Sequence, residues 1–175
     1  MNEQKPKDVA VLLMLFARPE TTIEVFKKLR EAKPNKIFIA ANGPRPDHPD
    51  DLAACKAVRD IFEDIDWECE IHKNYREVNI NMHEHWWLAM DWFFEHVDRG
   101  IILEDDCVPH NSFFDYCIEL LKKYEDDQQI MHINGSNFQF GKKRGDTSYY
   151  FSKYAHVWGW ATWKRGWDLF EQDGT

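Results

Sequence analysis

Glu104, Asp105 and Asp106 stand side by side at the end of an apolar run, Ile101-Ile102-Leu103, that Gly100 leads in. An apolar run of that length, bounded by a glycine and a polar cluster, predicts a buried strand. Three adjacent carboxylates repel one another, and a bound divalent cation is one economical compensation. A solvated acidic turn leading into the next helix is the other reading of the same residues. A small cation held by one or two carboxylates completes its shell with water and phosphate oxygens. There it neutralises charge on a phosphate leaving group. Read that way, the triplet points to transfer from a nucleotide diphosphate.

The flanking sequence has to position these acids. Val9 to Phe16 is a continuous apolar run and predicts a first strand buried on both faces. Pro19 suits the first turn of a helix whose stripe is Val25, Phe26, Leu29 and Ala32. Ile37 to Ala41 predicts a second strand, and Asn42-Gly43-Pro44-Arg45-Pro46 a loop. Asp50 and Asp51 open a helix with the stripe Leu52, Cys55, Val58, Ile61 and Phe62. Trp67 to Ile71 alternates, so a third strand lies near a sheet edge. Lys73 to Asn81 reads as a polar loop before a helix carrying Trp86, Met90, Phe93 and Val97, which Gly100 ends. Asn111 or Ser112 caps a helix with Phe113, Phe114, Cys117, Leu121 and Tyr124 inward. Ile130 to Ile133 is a further short strand.

Strand and helix alternate four times, which predicts an α/β fold with a doubly wound, mostly parallel sheet. Ligands of such sheets sit at the carboxyl ends of the strands. Four polar loops therefore converge there. They bring Arg18, then Asn42 and Arg45, then Tyr75, Arg76 and Asn79, then the acidic triplet. Convergence favours the metal reading over the plain acidic turn.

Several rival chemistries lack their parts. There is no G-x-G-x-x-G after the first strand, no G-x-x-x-x-G-K-[ST] and no G-x-S-x-G. Ala17-Arg18 stands where an aspartyl phosphohydrolase would place its nucleophile, and where a nucleotidyltransferase would place glycines. The 175 residues suffice for one domain with a real core. The formal net charge of -9 argues against a nucleic-acid partner, and leaves only a local basic patch for any anionic membrane. Cys55, Cys69, Cys107 and Cys117 make no C-x-x-C, which reads as reduced cysteines in a cytoplasmic protein. Met1 to Asp8 has no apolar core of a signal peptide, and no stretch approaches a transmembrane segment.

Four stretches carry a resemblance to a family: Phe16-Ala17-Arg18-Pro19-Glu20-Thr21-Thr22, Ala40-Ala41-Asn42-Gly43-Pro44-Arg45, Ile102-Leu103-Glu104-Asp105-Asp106-Cys107, and His156-Val157-Trp158-Gly159-Trp160-Ala161-Thr162-Trp163. In that order the chain resembles the GT-A glycosyltransferases, in particular a bacterial group of nucleotide-diphospho-sugar transferases related to family 2. Its acidic triplet looks like their DxD element in an E-D-D form. The resemblance implies a Rossmann-like nucleotide-diphospho-sugar transferase fold over residues 1–175, read as the donor-binding half of a longer enzyme. It implies a nucleotide-diphosphate sugar donor, a UDP-sugar by expectation, a glycan or other hydroxyl acceptor, and Mn²⁺ or Mg²⁺. It implies a cytoplasmic protein, peripheral at the inner membrane.

The resemblance also assigns roles. Phe16, Ala17 and Arg18 would contact the base; Asn42 would sit where relatives often place an acid against it; Asn79 would lie near base or ribose. Glu104 would face the ribose, and Asp105 the sugar or the waters of the metal. Asp106 would be the direct metal ligand. Gly135, Ser136 and Asn137 would border the donor sugar. Asp168, Glu171 and Asp173 are the late acids from which a catalytic base is sought, Asp168 and Glu171 first. The sequence departs from the pattern where Asn81 replaces a glycine and Glu84 a cation. A non-catalytic nucleotide-sugar-binding domain therefore stays open as the alternative.

Other groups have a plainer reading. His83 and His85 are two apart on a helix, so they do not share an ion and read as surface or donor-pocket residues. Trp160, Trp163, Trp167 and Phe170 have helical spacing and read as core, which leaves Trp158 beside Gly159 as the better binding candidate. His110 and His132 read as structural. Lys142, Lys143 and Arg144, between Gly141 and Gly145, read as a solvated tip rather than a lid over a diphosphate.

Overall fold

A computed structural model describes residues 7–143 and 145–170. The elements follow in the order β1 (Lys7–Leu15), α1 (Pro19–Ala32), β2 (Pro34–Ala41), α2 (Asp51–Asp60) with a 3-10 turn (Ile61–Asp64), β3 (Glu70–Tyr75), α3 (Met82–Phe94), β4 (Arg99–Glu104), α4 (Ser112–Lys123), β5 (Ile133–Asn134), β6 (Trp160–Trp163) and the single turn α5 (Lys164–Trp167). The strands form one six-stranded sheet in the order β3-β2-β1-β4-β6-β5. The first four are parallel, and β6 runs antiparallel to both β4 and β5. The chain is thus α/β, with a mixed, mostly parallel sheet covered on both faces.

Strand side chains alternate between faces, and the core divides accordingly. Val11, Leu13 and Leu15 of β1 join Ile37, Ile39, Ile101 and Leu103 beneath α1, α2 and α4. Leu12 and Met14 join Phe38, Ala40 and Ile102 against α3 on the other face. Central strands apolar on both faces are what lets β1 and β4 lie side by side in the middle, so Glu104 ends a fully covered strand. α1 starts on Pro19 and ends on Lys33, left-handed at φ 52°, whose N–H returns to the Leu29 carbonyl at 2.7 Å.

Several sequence expectations shift. β3 is an edge strand as expected, but it spans Glu70–Tyr75, so Tyr75 ends a strand rather than sitting in a loop. Leu52 points outward and is 69% exposed; its helix is held by Cys55 and Val58. Gly100 lies inside β4 and not at a helix end: a Cβ there would come within 2.7 Å of the Ala10 carbonyl and 2.3 Å of the Phe93 ring. Its absence lets α3 pack onto the sheet. Asn111 precedes α4 without a side-chain capping bond; its Oδ1 accepts from Lys28 Nζ at 2.9 Å. The short strand expected over 130–133 is Ile133–Asn134. Trp160 and Trp163 are core as expected, yet they lie on a strand and face opposite sides of the sheet; Phe170 is exposed.

Candidate functional site

The loops following β1, β2, β3 and β4 share one edge of the sheet, and Arg18 ties two of them together. One guanidinium nitrogen lies 2.6 Å from Asp105 Oδ1 and the other donates to Asp106 Oδ2 at 2.7 Å. Asp105 is buried at 2% side-chain exposure, against 44% for Asp106 and 47% for Arg18. The other oxygen of Asp105 accepts the Phe16 N–H at 3.1 Å, and its own N–H donates to the Met14 carbonyl. Phe16, Arg18, Asp105 and Asp106 therefore form one unit, as β1 and β4 are adjacent. Burial lifts the Asp105 carboxyl above its ordinary value against the pull of Arg18. Burial also lifts Glu104, with its two acidic neighbours adding to the effect. Burial opposes the Arg18 charge, but Asp105 and Asp106 together hold its pKa above the usual value.

The β2 and β3 loops are braced from within. Asn42 is buried: its Nδ2 donates to the Ile80 carbonyl at 2.9 Å, and its Oδ1 accepts the N–H groups of Ile80 and Gly43. Both ends of the amide are occupied, so the structure gives Asn42 a bracing task rather than a free edge for a base. Asn79 Nδ2 likewise donates to the Gly43 carbonyl at 3.0 Å. Gly43 is required here, since a Cβ would lie 2.3 Å from the backbone carbon of Val78. Arg59 donates to the carbonyls of Arg76 and Asn42. Arg45 grips Asp51 at 2.7 and 3.0 Å and lies over the Phe16 ring at 5.4 Å. Its hydrogen bonds hold the Asp51 carboxyl down at about 2.

On the other side of Asp106 opens a cleft of about 1550 Å³. Asp106 stands on its border, with Ser136 and Asn137 on one wall and Trp158 on another. Gly135, expected beside the donor sugar, also lines it, and its N–H donates to the Gly159 carbonyl at 2.9 Å. Ser136 Oγ donates to the Trp158 carbonyl at 3.1 Å. Phe16, Ala17, Arg18, Asn42, Asn79, Glu104 and Asp105 lie outside this cleft. The residues expected at the donor thus fall on two sides of Asp106.

The expected catalytic acids do not reach the cleft. Asp168 pairs with Lys164 at 2.8 Å one helical turn away and is not among the lining groups. Glu171 and Asp173 lie outside the described residues, as does Arg144. Among the described residues, Asp106 is the only carboxylate that lines the cleft. His83 is exposed and accepts from Trp87 Nε1 at 3.0 Å. His85, expected near the surface or the donor pocket, is buried against the sheet. Among the described residues neither of its ring nitrogens has a hydrogen-bond partner. Burial first, and then the Arg76 charge, lower its pKa. Its burial follows from its place one turn before Ala89, on the face of α3 that meets β2. Steps of four back from Phe93 through Ala89 reach His85, which is the spacing that could have shown this.

Whether a divalent cation fits can be judged from the oxygens. Among the described residues no three His, Cys, Asp or Glu side chains converge as a cage. A cation carried in on phosphate oxygens, however, needs only one or two protein carboxylates. Asp106 is half-exposed at the cleft border, and the polar contact to its Oδ1 is the weak one from the Cys107 thiol at 3.8 Å. The donor set is hard oxygen, so it fits Mn²⁺ or Mg²⁺ anchored through a single residue.

No protein-family model and no curated protein matches the chain. Solved structures do resemble it. One is the mannosyltransferase PcManGT from Pyrobaculum calidifontis, in complex with GDP-Man and Mn²⁺: 12% identity and a TM-score of 0.51 over 74% of this chain. The chain spans 35% of that protein's length. Another is 4-diphosphocytidyl-2C-methyl-D-erythritol synthase from Anaerococcus prevotii. It too has 12% identity and a TM-score of 0.51, over 90% of this chain and 72% of its own. At such identity the likeness is one of fold, a Rossmann-like α/β sheet. No helix among the described residues is long and apolar enough to cross a membrane.

Proposed function

We propose that the chain is the donor-binding domain of a metal-dependent glycosyltransferase. It takes a nucleotide-diphosphate sugar, a UDP-sugar by preference, and serves transfer to a glycan or other hydroxyl acceptor. The observation that carries this reading is the place of Asp106. It lies in the turn just after the central strand β4, is tied to the β1 loop through Arg18, and borders a large cleft. Ligands of open α/β sheets gather at that edge.

In this reading Asp106 would hold Mn²⁺ or Mg²⁺, and the buried Asp105, bonded to Arg18 and the Phe16 N–H, would position it from behind. When bound, the metal offsets the charge of the diphosphate leaving group. Arg18 keeps the two carboxylates in a fixed orientation and prevents their repulsion from splaying the loop. Phe16 presents an apolar face beside the Arg45 guanidinium, a surface on which a planar base can rest. Glu104, half-buried at the end of β4, would accept a hydrogen bond from a ribose hydroxyl. Gly135, Ser136 and Asn137 border the sugar on the cleft side.

A nucleotide-sugar-binding domain without turnover is the second reading. It is favoured by the cleft having no carboxylate besides Asp106, among the described residues, to serve as a general base. One experiment tests both. Titrate nucleotide sugars with and without Mn²⁺ on wild type and Asp106→Ala, and assay released nucleotide diphosphate. Metal-dependent binding that weakens at least tenfold in Asp106→Ala is expected, the loss of one charge-assisted contact of about 1.5–3 kcal/mol. Binding without release of nucleotide diphosphate in the presence of acceptors moves the assignment to the binding domain. Pyrophosphate release from a nucleoside triphosphate would replace it with nucleotidyl transfer, and absence of metal-dependent binding would sink both.

A further inference from the structure

The cleft beyond Asp106 is larger than a donor sugar needs. Its roughly 1550 Å³ exceeds the ~300–1,000 Å³ that encloses one small ligand. The nucleotide-side residues lie outside it, so a nucleotide does not account for the space. Its walls alternate aromatic faces with amides and hydroxyls: Phe151, Tyr154 and Trp158 among the first, Ser136, Asn137 and Ser152 among the second. The aromatic groups are strongly exposed, Trp158 at 64%, Phe151 at 65% and Tyr154 at 81%. A run of exposed aromatic surface marks a binding site more often than an accident of folding.

The wall is also held in place. The Ser136 hydroxyl and the Gly135 N–H bind the backbone at Trp158 and Gly159. Phe138 packs edge-on between His156, at 4.8 Å, and Trp158, at 6.0 Å. Farther out, Gln139 donates to Tyr150 Oη at 2.8 Å, and Tyr149 Oη meets Lys123 Nζ and Tyr124 Oη at 2.6 and 2.7 Å. Gly159 takes φ 69°, which turns the chain so that Trp158 faces out while Trp160 enters the sheet. Trp158 is thus fixed to the same loop that borders Asp106.

A pyranose has an apolar face of C–H groups and a rim of hydroxyls. Aromatic faces set beside amides and hydroxyls match both parts at once, whereas a lipid chain uses the apolar part alone. We infer that this cleft is an acceptor subsite for an oligosaccharide, with the Trp158 indole as the stacking platform for the sugar nearest Asp106. The inference rests on the glycosyltransferase reading and narrows its acceptor from any hydroxyl to a carbohydrate chain.

The test is calorimetric titration of chitotetraose, maltotetraose, mannotetraose and cellotetraose, and of their monosaccharides, into the whole chain. Wild type, Trp158→Ala, Trp158→Phe and Phe138→Ala are compared, and UDP with Mn²⁺ is titrated in parallel. At least one tetrasaccharide is expected to bind more tightly than its monosaccharide. Trp158→Ala is expected to weaken it tenfold or more, Trp158→Phe to retain most of it, and UDP binding to stay unchanged. Circular dichroism confirms that the exposed substitutions leave the fold intact. No tetrasaccharide binding while UDP binds, or binding indifferent to Trp158→Ala, overturns the subsite. Sedimentation with phosphatidylglycerol vesicles without any tetrasaccharide binding overturns it in favour of a membrane surface. Tetrasaccharide binding without any UDP binding instead removes the acceptor role along with the proposed donor chemistry.

Discussion

The two sides of Asp106 are built on opposite principles. Toward β2 and β3, polar side chains brace the loops from within: Asn42 on Ile80, Asn79 on Gly43, Arg45 on Asp51, Arg59 on two carbonyls. Toward β5 and β6, the side chains reach outward, and the aromatic ones are largely bare. The first side spends its hydrogen bonds on shape, so it presents a rigid surface to whatever lies on it. The second also ties its loops together, through Ser136, Gln139 and Tyr149, but leaves its aromatic faces bare, as a surface must if a ligand is to stack on them. Arg18 and the two aspartates are the seam between them.

Substitutions should separate the sides by their effect on stability. The largest loss is expected from Gly43→Ala, where a Cβ meets the backbone of Val78 and neither strand loop can yield. About 3 kcal/mol is expected, read as a lowered midpoint in urea with an unchanged slope. Arg18→Ala comes next, because it strands the buried Asp105. About 2–3 kcal/mol is expected, below the ~3–5 of a fully buried pair because Arg18 is half-exposed. Arg18→Ala with Asp105→Asn should recover much of that loss, and a double-mutant cycle measures the recovery. Asn42→Ala removes three bonds at once and leaves the Ile80 amide unpaired, for about 2 kcal/mol in thermal melts. Trp158→Ala, on the open side, should stay within about 0.5 kcal/mol of wild type by the same melts.

Acid should sharpen the same contrast. Arg45 holds Asp51 at about 2, below its ordinary 3.8. The unfolded chain therefore binds that proton first, and the contribution of this pair is complete above pH 3.8 and lost as pH falls toward 2. In Asp51→Asn the dependence of melting temperature on pH across that window should flatten. A variant whose acid limb matched wild type would show that the β2 loop draws nothing from the pair.

β1, α1, β2 and β4 were legible in the sequence because their burial is complete. Runs such as Val9 to Leu15 and Ile101 to Leu103 have no other place to be. β3 was misplaced because an edge strand tolerates Lys73, Asn74 and Tyr75, which read as loop. β6 was missed for a different reason. Trp160, Trp163 and Trp167 fall at helical intervals, and what makes 160–163 a strand is pairing with β4, sixty residues away in sequence and without a local signal. The acidic triplet was legible because its charges are improbable at the end of an apolar run. The bracing role of Asn42 was not, since an amide bonds a backbone as readily as a ligand and only the fold decides between them. The break between the two sides of Asp106 had no counterpart in composition at all.

The return of β6 between β4 and β5 has a consequence for change over time. Residues 135–159 leave the sheet and re-enter it at neighbouring rungs, since Asn134 pairs with Trp160 and Ile133 with Ala161. The part of the cleft wall that carries Trp158 is therefore an excursion with both feet on one ladder, while α4 and the β4 loop supply the rest. Closing such a loop costs only about 0.6 kcal/mol more each time its length doubles. This segment can lengthen, shorten or be replaced while β1, β4 and the aspartates keep their register. A lineage with this arrangement can exchange one partner for the next by rewriting one excursion of the chain and leaving the edge at Asp106 alone.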